Sequence, residues 1–413
     1  MVIRLSDYRH GHRIVSLAKC EDTLGHLKEE NLDTIYLCGG RLMLLPENVV
    51  LSTAPETMEA FSQCDDYDVF EIDDRGTAYL YYNNESTDNA FVVTGKCNSN
   101  CLMCPSSEGS RRAASTARVD DLLQIINHIP SDAAHLTITG GEPFLLGKDI
   151  FRFFEALRNK FTQTGFLLLT NGRIFSVPEY CDLLRQTLPP QTILGIPIHG
   201  HNAAVHDGIT QAEGSFQQTF IGLKHLLAQG FRIELRIVVS RMTADFVDKI
   251  ADLIAAEFPG VETVKIIGLE MLGNAAKNQD QVWMPYPAAF QKSKAAIMTL
   301  VSAGVDVELY NFPLCAVDKE FWPICAKSIS DYKVRFAERC NSCELKDACG
   351  GIFAGTYRLA KDDVRPIGEQ NAELFPFQRA EWPVSSYKRP WPLHIPEQIR
   401  TERSGCRGYQ AGF

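Results

Sequence analysis

A chain of 413 residues is longer than one usual domain, and its composition, 45% apolar and 22% charged, is that of a globular protein with ample core. A formal net charge of -10 and a pI of about 5.5 give no general attraction to phosphate backbones or anionic lipid, so nucleic acid is excluded as a default partner. No stretch approaches the ~18 apolar residues of a spanning helix, and the start, MVIRLSDYRHGHRIVSL, lacks a secretion signal's apolar core, so a cytoplasmic protein without membrane contact is expected.

Residues 1 to 88 carry short β-like runs, such as Thr34 to Cys38 and Ala78 to Tyr82, broken by the acidic turns Asp65, Asp66, Asp73 and Asp74. They read as a small β-rich domain whose edge suits peptide docking. From about residue 90, apolar runs alternate with amphipathic stretches, the pattern of β/α units around a parallel sheet. Strands are expected at 91–94, 135–139, 166–170, 192–198, 231–239 and 262–268, with helices at 119–129, 149–160, 215–229 and 243–257. Six units fall short of the eight that close a barrel. Residues 89–285 are therefore expected to form an open, partial (β/α)6 TIM-like barrel, with chemistry at the C-terminal ends of its strands. A helix near 286–303 and a strand at 305–309 lead into a cysteine-rich domain, 286–360. The tail, 361–413, has Pro366, Pro376, Pro383, Pro390, Pro392 and Pro396 among several aromatics and reads as extended.

Thirteen cysteines in a chain without an export signal do not read as a disulfide framework, and their grouping points to metal. Cys97, Cys101 and Cys104 stand at CxxxCxxC spacing in TGKCNSNCLMCPSSEG, directly after the first barrel strand. Three thiolates leave one iron of a 4Fe–4S cluster open, where the amino and carboxylate groups of S-adenosylmethionine can chelate. One β/α unit later comes ITGGEPFLLG, with Gly140, Gly141, Glu142 and Pro143. Its glycines admit close backbone approach, its glutamate can accept from an ammonium group, and its proline stiffens the turn. Cys20, Cys38, Cys64, Cys181 and Cys406 stand alone and read as packed thiols.

Together these motifs resemble the radical S-adenosylmethionine superfamily over roughly residues 90 to 270. The resemblance implies that Cys97, Cys101 and Cys104 hold the SAM-binding cluster and that Gly140 to Glu142 hold the methionine end of the cofactor. It further implies that Asn171 and Arg236 reach its carboxylate and ribose, and that Glu270 borders the adenine. Met103 stands where the family often has an aromatic residue against the adenine. His199 and His201, after the fourth strand, face the expected substrate opening, either as polar lining or in proton transfer.

The run CNSCELKDACGG, with Cys340, Cys343 and Cys349, follows Cys315 and Cys325. It resembles the auxiliary-cluster domains called SPASM or twitch. A second 4Fe–4S cluster on Cys315, Cys340, Cys343 and Cys349 is expected, with Cys325 in reserve and tetrahedral zinc as the competing occupant. The combination of CNSNCLMCPSSEG, TGGEP, IPIHG, IIGLE, YNFPLC and CNSCELKDACGG is similar to the C-type radical maturases of the His-Xaa-Ser system. That similarity implies an oxidoreductase-type maturase that modifies a ribosomally made precursor peptide, beside a second radical maturase and an electron donor such as flavodoxin or ferredoxin. A radical enzyme acting on a small molecule and a non-catalytic iron-sulfur or zinc protein are the alternatives.

Overall fold

The computed structural model describes residues 1–368 apart from 7, 52, 114, 115 and 331. Of the tail expected at 361–413, only 361–368 falls within the described residues; Pro376 to Pro396 and Cys406 lie outside them.

Residues 2–82 build a seven-stranded sheet. Its strands are β1 (Val2–Arg4), β2 (Arg13–Ala18), β3 (Thr34–Cys38), β4 (Arg41–Leu45), β5 (Val49–Leu51), β6 (Val69–Ile72) and β7 (Thr77–Tyr82), in the order β1-β7-β6-β2-β3-β4-β5. Only β2 and β3 run parallel, joined through α1 (Glu21–Glu29), and α2 (Pro55–Ser62) packs Phe61 against Phe70. The lone thiols divide: Cys64 and Cys181 are buried, but Cys38 is exposed, at the end of β3 where the chain turns into β4.

The second sheet has eight strands, all parallel: β8 (Ala90–Val92), β9 (His135–Thr139), β10 (Gly165–Leu169), β11 (Thr192–Pro197), β12 (Arg232–Val239), β13 (Thr263–Gly268), β14 (Asp306–Tyr310) and β15 (Cys325–Ala326). They lie in chain order with β8 and β15 as its edges, so the sheet stays open. Six of these strands lie where the apolar runs place them. β14, expected beyond the barrel, pairs with β13 from Thr263↔Asp306 to Ile267↔Tyr310, and the parallel sheet crosses the expected boundary at 285.

Helices α4 (Val119–His128), α5 (Asp149–Lys160), α6 (Pro178–Thr187), α8 (Ser215–Ala228), α9 (Val247–Glu257) and α12 (Tyr286–Ser302) cover the sheet's outer face. In α4 the buried Leu122, Ile125 and Ile126 recur at helical spacing, and Asp120 and Asp121 in the first turn complement the helix dipole. On β12, Ile233, Leu235, Ile237 and Val239 join that core. Alternation turns Glu234 and Arg236 to the inner face. The two sheets share a core: Ile14, Val69 and Tyr82 pack with Phe91, Leu122 and Ile125, and Ser16 Oγ lies 2.9 Å from His128 Nδ1. No helix among the described residues is long and apolar enough to cross a membrane.

Candidate active site

The CxxxCxxC loop leaves the C-terminal end of β8 and is fastened along its length. Asn100 and Leu102 donate their backbone N–H groups to Thr210 and Ile209, at 2.8 and 3.0 Å, at the end of α7 (Ala203–Thr210). The short helix α10 (Gly273–Lys277) holds the other side: Asn274 Nδ2 donates to the Cys101 carbonyl at 3.1 Å, and the Ala275 N–H to that of Cys104 at 3.2 Å. Asn278 Nδ2 reaches the Leu102 carbonyl at 3.0 Å. Gly273 lies so close to this loop, at φ +53°, that an added Cβ would sit 2.3 Å from the Pro105 carbonyl oxygen. Arg173, just after the TNG turn, donates to the Asn98 carbonyl at 2.6 Å and to Ser99 Oγ at 3.0 Å.

The three thiols are half-buried. Burial pushes the Cys97 thiol up and that of Cys101 up to about 12, while Arg111 pulls both back toward the thiolate. Met103 lies in an apolar cluster with Ile209, Leu269, Met271, Ala275 and Val282 and is 4% exposed.

Gly140 and Gly141 press against the start of the cysteine loop. The Gly141 N–H donates to the Thr94 carbonyl at 2.7 Å and the Glu142 N–H to the Lys96 carbonyl at 2.8 Å. A Cβ on Gly140 or Gly141 would lie 2.3 or 2.1 Å from those same two oxygens, so any side chain would prise the two loops apart. Glu142 itself is 2% exposed. Its carboxylate accepts from the Asn171 N–H at 2.7 Å, Thr170 Oγ1 at 2.8 Å and the Phe144 N–H at 3.3 Å. Burial raises its pKa, and those donors oppose the rise. Three of a carboxylate's roughly four acceptor positions are thus filled by protein donors, where the sequence suggests a ligand for an ammonium group. Pro143 opens the 3-10 turn that follows. Asn171 bridges the site: its N–H binds Glu142 and its Nδ2 donates to Asn98 Oδ1 at 2.6 Å.

Arg236 lies in the middle of β12. Its Nε is 3.2 Å from Glu234 Oε1, and Lys265 on β13 lies between Glu234, at 3.9 Å, and Glu308 on β14, with which it forms a close pair. The motifs give no sign of this inner-face charge ladder, in which Glu234, Lys265 and Glu308 are each at least nine-tenths buried. His199 is buried and held neutral by desolvation, its pKa pushed down to about 3; its backbone N–H donates to His206 Nδ1 at 3.2 Å. His201 pairs with Asn202 at 2.8 Å. Glu270 follows β13, half-buried, with its pKa raised by burial.

A second site lies beyond β14. Cys315, Cys340, Cys343 and Cys349 line one pocket, walled by apolar residues including Leu314, Phe336, Leu345 and Ile352. Backbone N–H groups already point at three of the sulfurs: Leu314 and Gly351 at Cys349, both at 3.4 Å, Arg365 at Cys315 at 3.3 Å, and Ile367 at Cys343 at 3.4 Å. Burial pushes the Cys315 thiol up to about 11. Cys325 is not among the residues lining this cavity; its Sγ lies 3.6 Å from the Phe321 carbonyl. Among the described residues no three His, Cys, Asp or Glu side chains form a group able to hold a single metal ion. A four-iron cluster, each of whose ligands takes a separate iron, does not require such convergence.

The sequence profile of the Radical SAM superfamily matches residues 91–272, the stretch from β8 to the loop after β13. This segment is a radical SAM domain. The radical SAM family uses a 4Fe–4S cluster and S-adenosylmethionine. Over 167 residues the chain is 28% identical to an AdoMet-dependent heme synthase of Methanosarcina barkeri, covering 40% of this chain and 46% of that protein. Over 174 residues it is 30% identical to the antilisterial bacteriocin subtilosin biosynthesis protein AlbA of Bacillus subtilis, covering 41% and 37%. The chain thus spans less than half the length of these two curated relatives. Among solved structures it is similar to Streptococcus suis SuiB bound to precursor peptide SuiA, with a TM-score of 0.44 and 10% identity over 54% of this chain and 47% of that one.

Proposed function

We propose that this radical SAM enzyme is a maturase of a ribosomally made peptide, holding its SAM-binding cluster on Cys97, Cys101 and Cys104 and an auxiliary cluster on Cys315, Cys340, Cys343 and Cys349. The observation that carries the reading is the second cysteine cavity: four thiols in an apolar pocket, with N–H groups aimed at the sulfurs, supply what an iron-sulfur cluster needs. The similarity to a protein named for the biosynthesis of a bacteriocin supports the peptide substrate. When bound, the first cluster supplies the electron that splits S-adenosylmethionine into methionine and a 5′-deoxyadenosyl radical.

The chain's own residues do the positioning. Asn171, Arg173, Asn274 and Asn278 fix the cysteine loop, and Gly140 and Gly141 bring the next loop against it. Glu142 ties the ends of β9 and β10 together, and Met103 packs the cysteine loop onto Ile209, Leu269 and Met271. Arg236 and Glu270 remain our cofactor-facing candidates. An external electron donor, flavodoxin or ferredoxin, and a second maturase complete the reading. A small-molecule substrate is the second reading, favoured by the similarity to heme synthases.

Anaerobically reconstituted protein with dithionite is expected to convert S-adenosylmethionine to 5′-deoxyadenosine and methionine, and a Cys97→Ala/Cys101→Ala/Cys104→Ala variant to fail. Incubation with peptides carrying His-Xaa-Ser repeats should change the mass of the peptide. Turnover of a tetrapyrrole precursor and of no peptide would establish the second reading instead.

A further inference from the structure

Arg111 is 7% exposed, on the short helix that follows the CxxxCxxC loop. Its guanidinium donates to the Ser106 carbonyl and to Asn100 Oδ1, acceptors that flank Cys101 and Cys104 on either side. Both are neutral. Among the described residues no carboxylate lies within ion-pair distance of Arg111. A buried cation without a counter-ion is costly, and cores hold one only where an anion compensates it. Its two acceptors, Asn100 and Ser106, bracket Cys101 and Cys104 in the chain, so the anionic groups that the site chemistry brings to this loop are the cluster's thiolates.

We propose that Arg111 is the built-in counter-charge of the SAM-binding cluster, a positioning residue that raises the cluster's reduction potential. The inference rests on the three-cysteine reading above. Three thiolates on a 2+ four-iron core leave one net negative charge, and uptake of one electron from the external donor makes it two. A fixed cation held on the same loop favours the second state more than the first, through a medium that screens weakly. Asn100 Oδ1 also accepts from Asn274 Nδ2 at 3.0 Å, so the guanidinium is clamped to the helix that holds the Cys101 carbonyl and cannot swing into solvent.

The test is a redox titration of the full-length, reconstituted protein, read by electron paramagnetic resonance without S-adenosylmethionine, with the auxiliary cluster as internal reference. At a fixed potential, Arg111→Met should cut the reduced-to-oxidised ratio of the SAM-binding cluster about tenfold, a fall of roughly 59 mV for one electron. Arg111→Lys should recover most of that loss, and the auxiliary signal should not move. Should Arg111→Met load no iron, Arg111→Gln against Arg111→Lys carries the comparison: a lower potential in Gln supports the role and equal potentials refute it. An unshifted potential in loaded Arg111→Met, an equal shift of both clusters, or a shift seen only with S-adenosylmethionine present would each overturn the inference, the last because it assigns the charge to the cofactor's carboxylate. Wild-type protein that binds no cluster at this loop would instead defeat the reading on which the inference rests.

Discussion

Glu142 separates two accounts of the GGEP motif. As a ligand for the cofactor's ammonium, it would lower only cofactor affinity when removed, by roughly tenfold or more for one charge-assisted bond. The geometry gives it a structural role instead, because its carboxylate receives two short hydrogen bonds, from Asn171 and Thr170, and a longer one from Phe144, all inside the protein. Each bond to a charged acceptor contributes about 1.5 to 3 kcal/mol, but desolvation of the carboxylate, visible in its raised pKa, offsets part of the sum. A net loss of about 3 kcal/mol is therefore expected for Glu142→Ala, which leaves the buried N–H of Asn171 without its acceptor. For a domain of this size that is roughly 6 to 12 °C in melting temperature. The assay is thermal unfolding without S-adenosylmethionine, followed by circular dichroism. Glu142→Gln, which keeps one carbonyl acceptor, should lose less. An unchanged melting temperature in Glu142→Ala together with a tenfold drop in cofactor affinity would refute the structural role and restore the ligand role.

The iron content gives the next prediction: about eight irons in wild-type protein, and about four in either the Cys97/Cys101/Cys104→Ala or the Cys315/Cys340/Cys343/Cys349→Ala variant. Zinc in the first variant, with no charge-transfer absorbance, would contradict the auxiliary cluster. Two buried groups predict opposite pH slopes of stability. Burial raises Asp68 to about 6, so its contribution is present below the ordinary value near 3.8 and is lost as pH rises through 6; Asp68→Asn should flatten that segment, worth at most about 3 kcal/mol. Burial lowers His128 to about 4, so its contribution is present above 6.5 and is lost as pH falls through about 4; denaturant titrations of His128→Gln at pH 4 and 7 should show the smaller difference. Identical slopes in wild type and variant would refute either assignment.

The barrel strands are legible because their apolar runs are continuous or alternate with period two, and because helical spacing resumes between them. The run HLTIT, for instance, falls on β9 residue for residue. What sequence does not show is partnership. Val305 to Leu309 reads as a strand, but nothing in it says that Lys265 will sit beside Glu308, which is what extends the parallel sheet past the expected domain boundary. The inner-face charges escape notice for a related reason. A charge in an alternating strand ordinarily marks the solvent face, and here that face is the inside of the open barrel, where Glu234 and Lys265 are buried. Arg111 and Arg173 carry a faint signal, a cation just beyond each motif, with no way to know that both bend back onto the cysteine loop.

From sequence, the N-terminal sheet is expected to be a small domain whose edge suits peptide docking, and deleting residues 1 to 85 would test that only if the rest of the chain stayed folded. Its packing argues otherwise. Ile14, Val69 and Tyr82 complete the core around Phe91, Leu122 and Ile125, so deletion would uncover the barrel's first strand and helix together. At about 25 cal/mol per Å² of apolar surface, stripping even these few side chains costs several kcal/mol, comparable to the whole stability of a domain. A truncated enzyme that loses peptide modification would therefore report unfolding and not docking. The edges of the sheet can be altered without disturbing that core: Val2 on β1 and Val50 on β5 are 65% and 54% exposed, on the two strands that have only one neighbour each. If a peptide adds to either edge, Val2→Glu or Val50→Glu, which place a charge on that edge, should raise the KM for the cognate peptide and leave 5′-deoxyadenosine formation without peptide unchanged. Full peptide turnover in both variants would place docking elsewhere and leave the N-terminal sheet as the cover of α4.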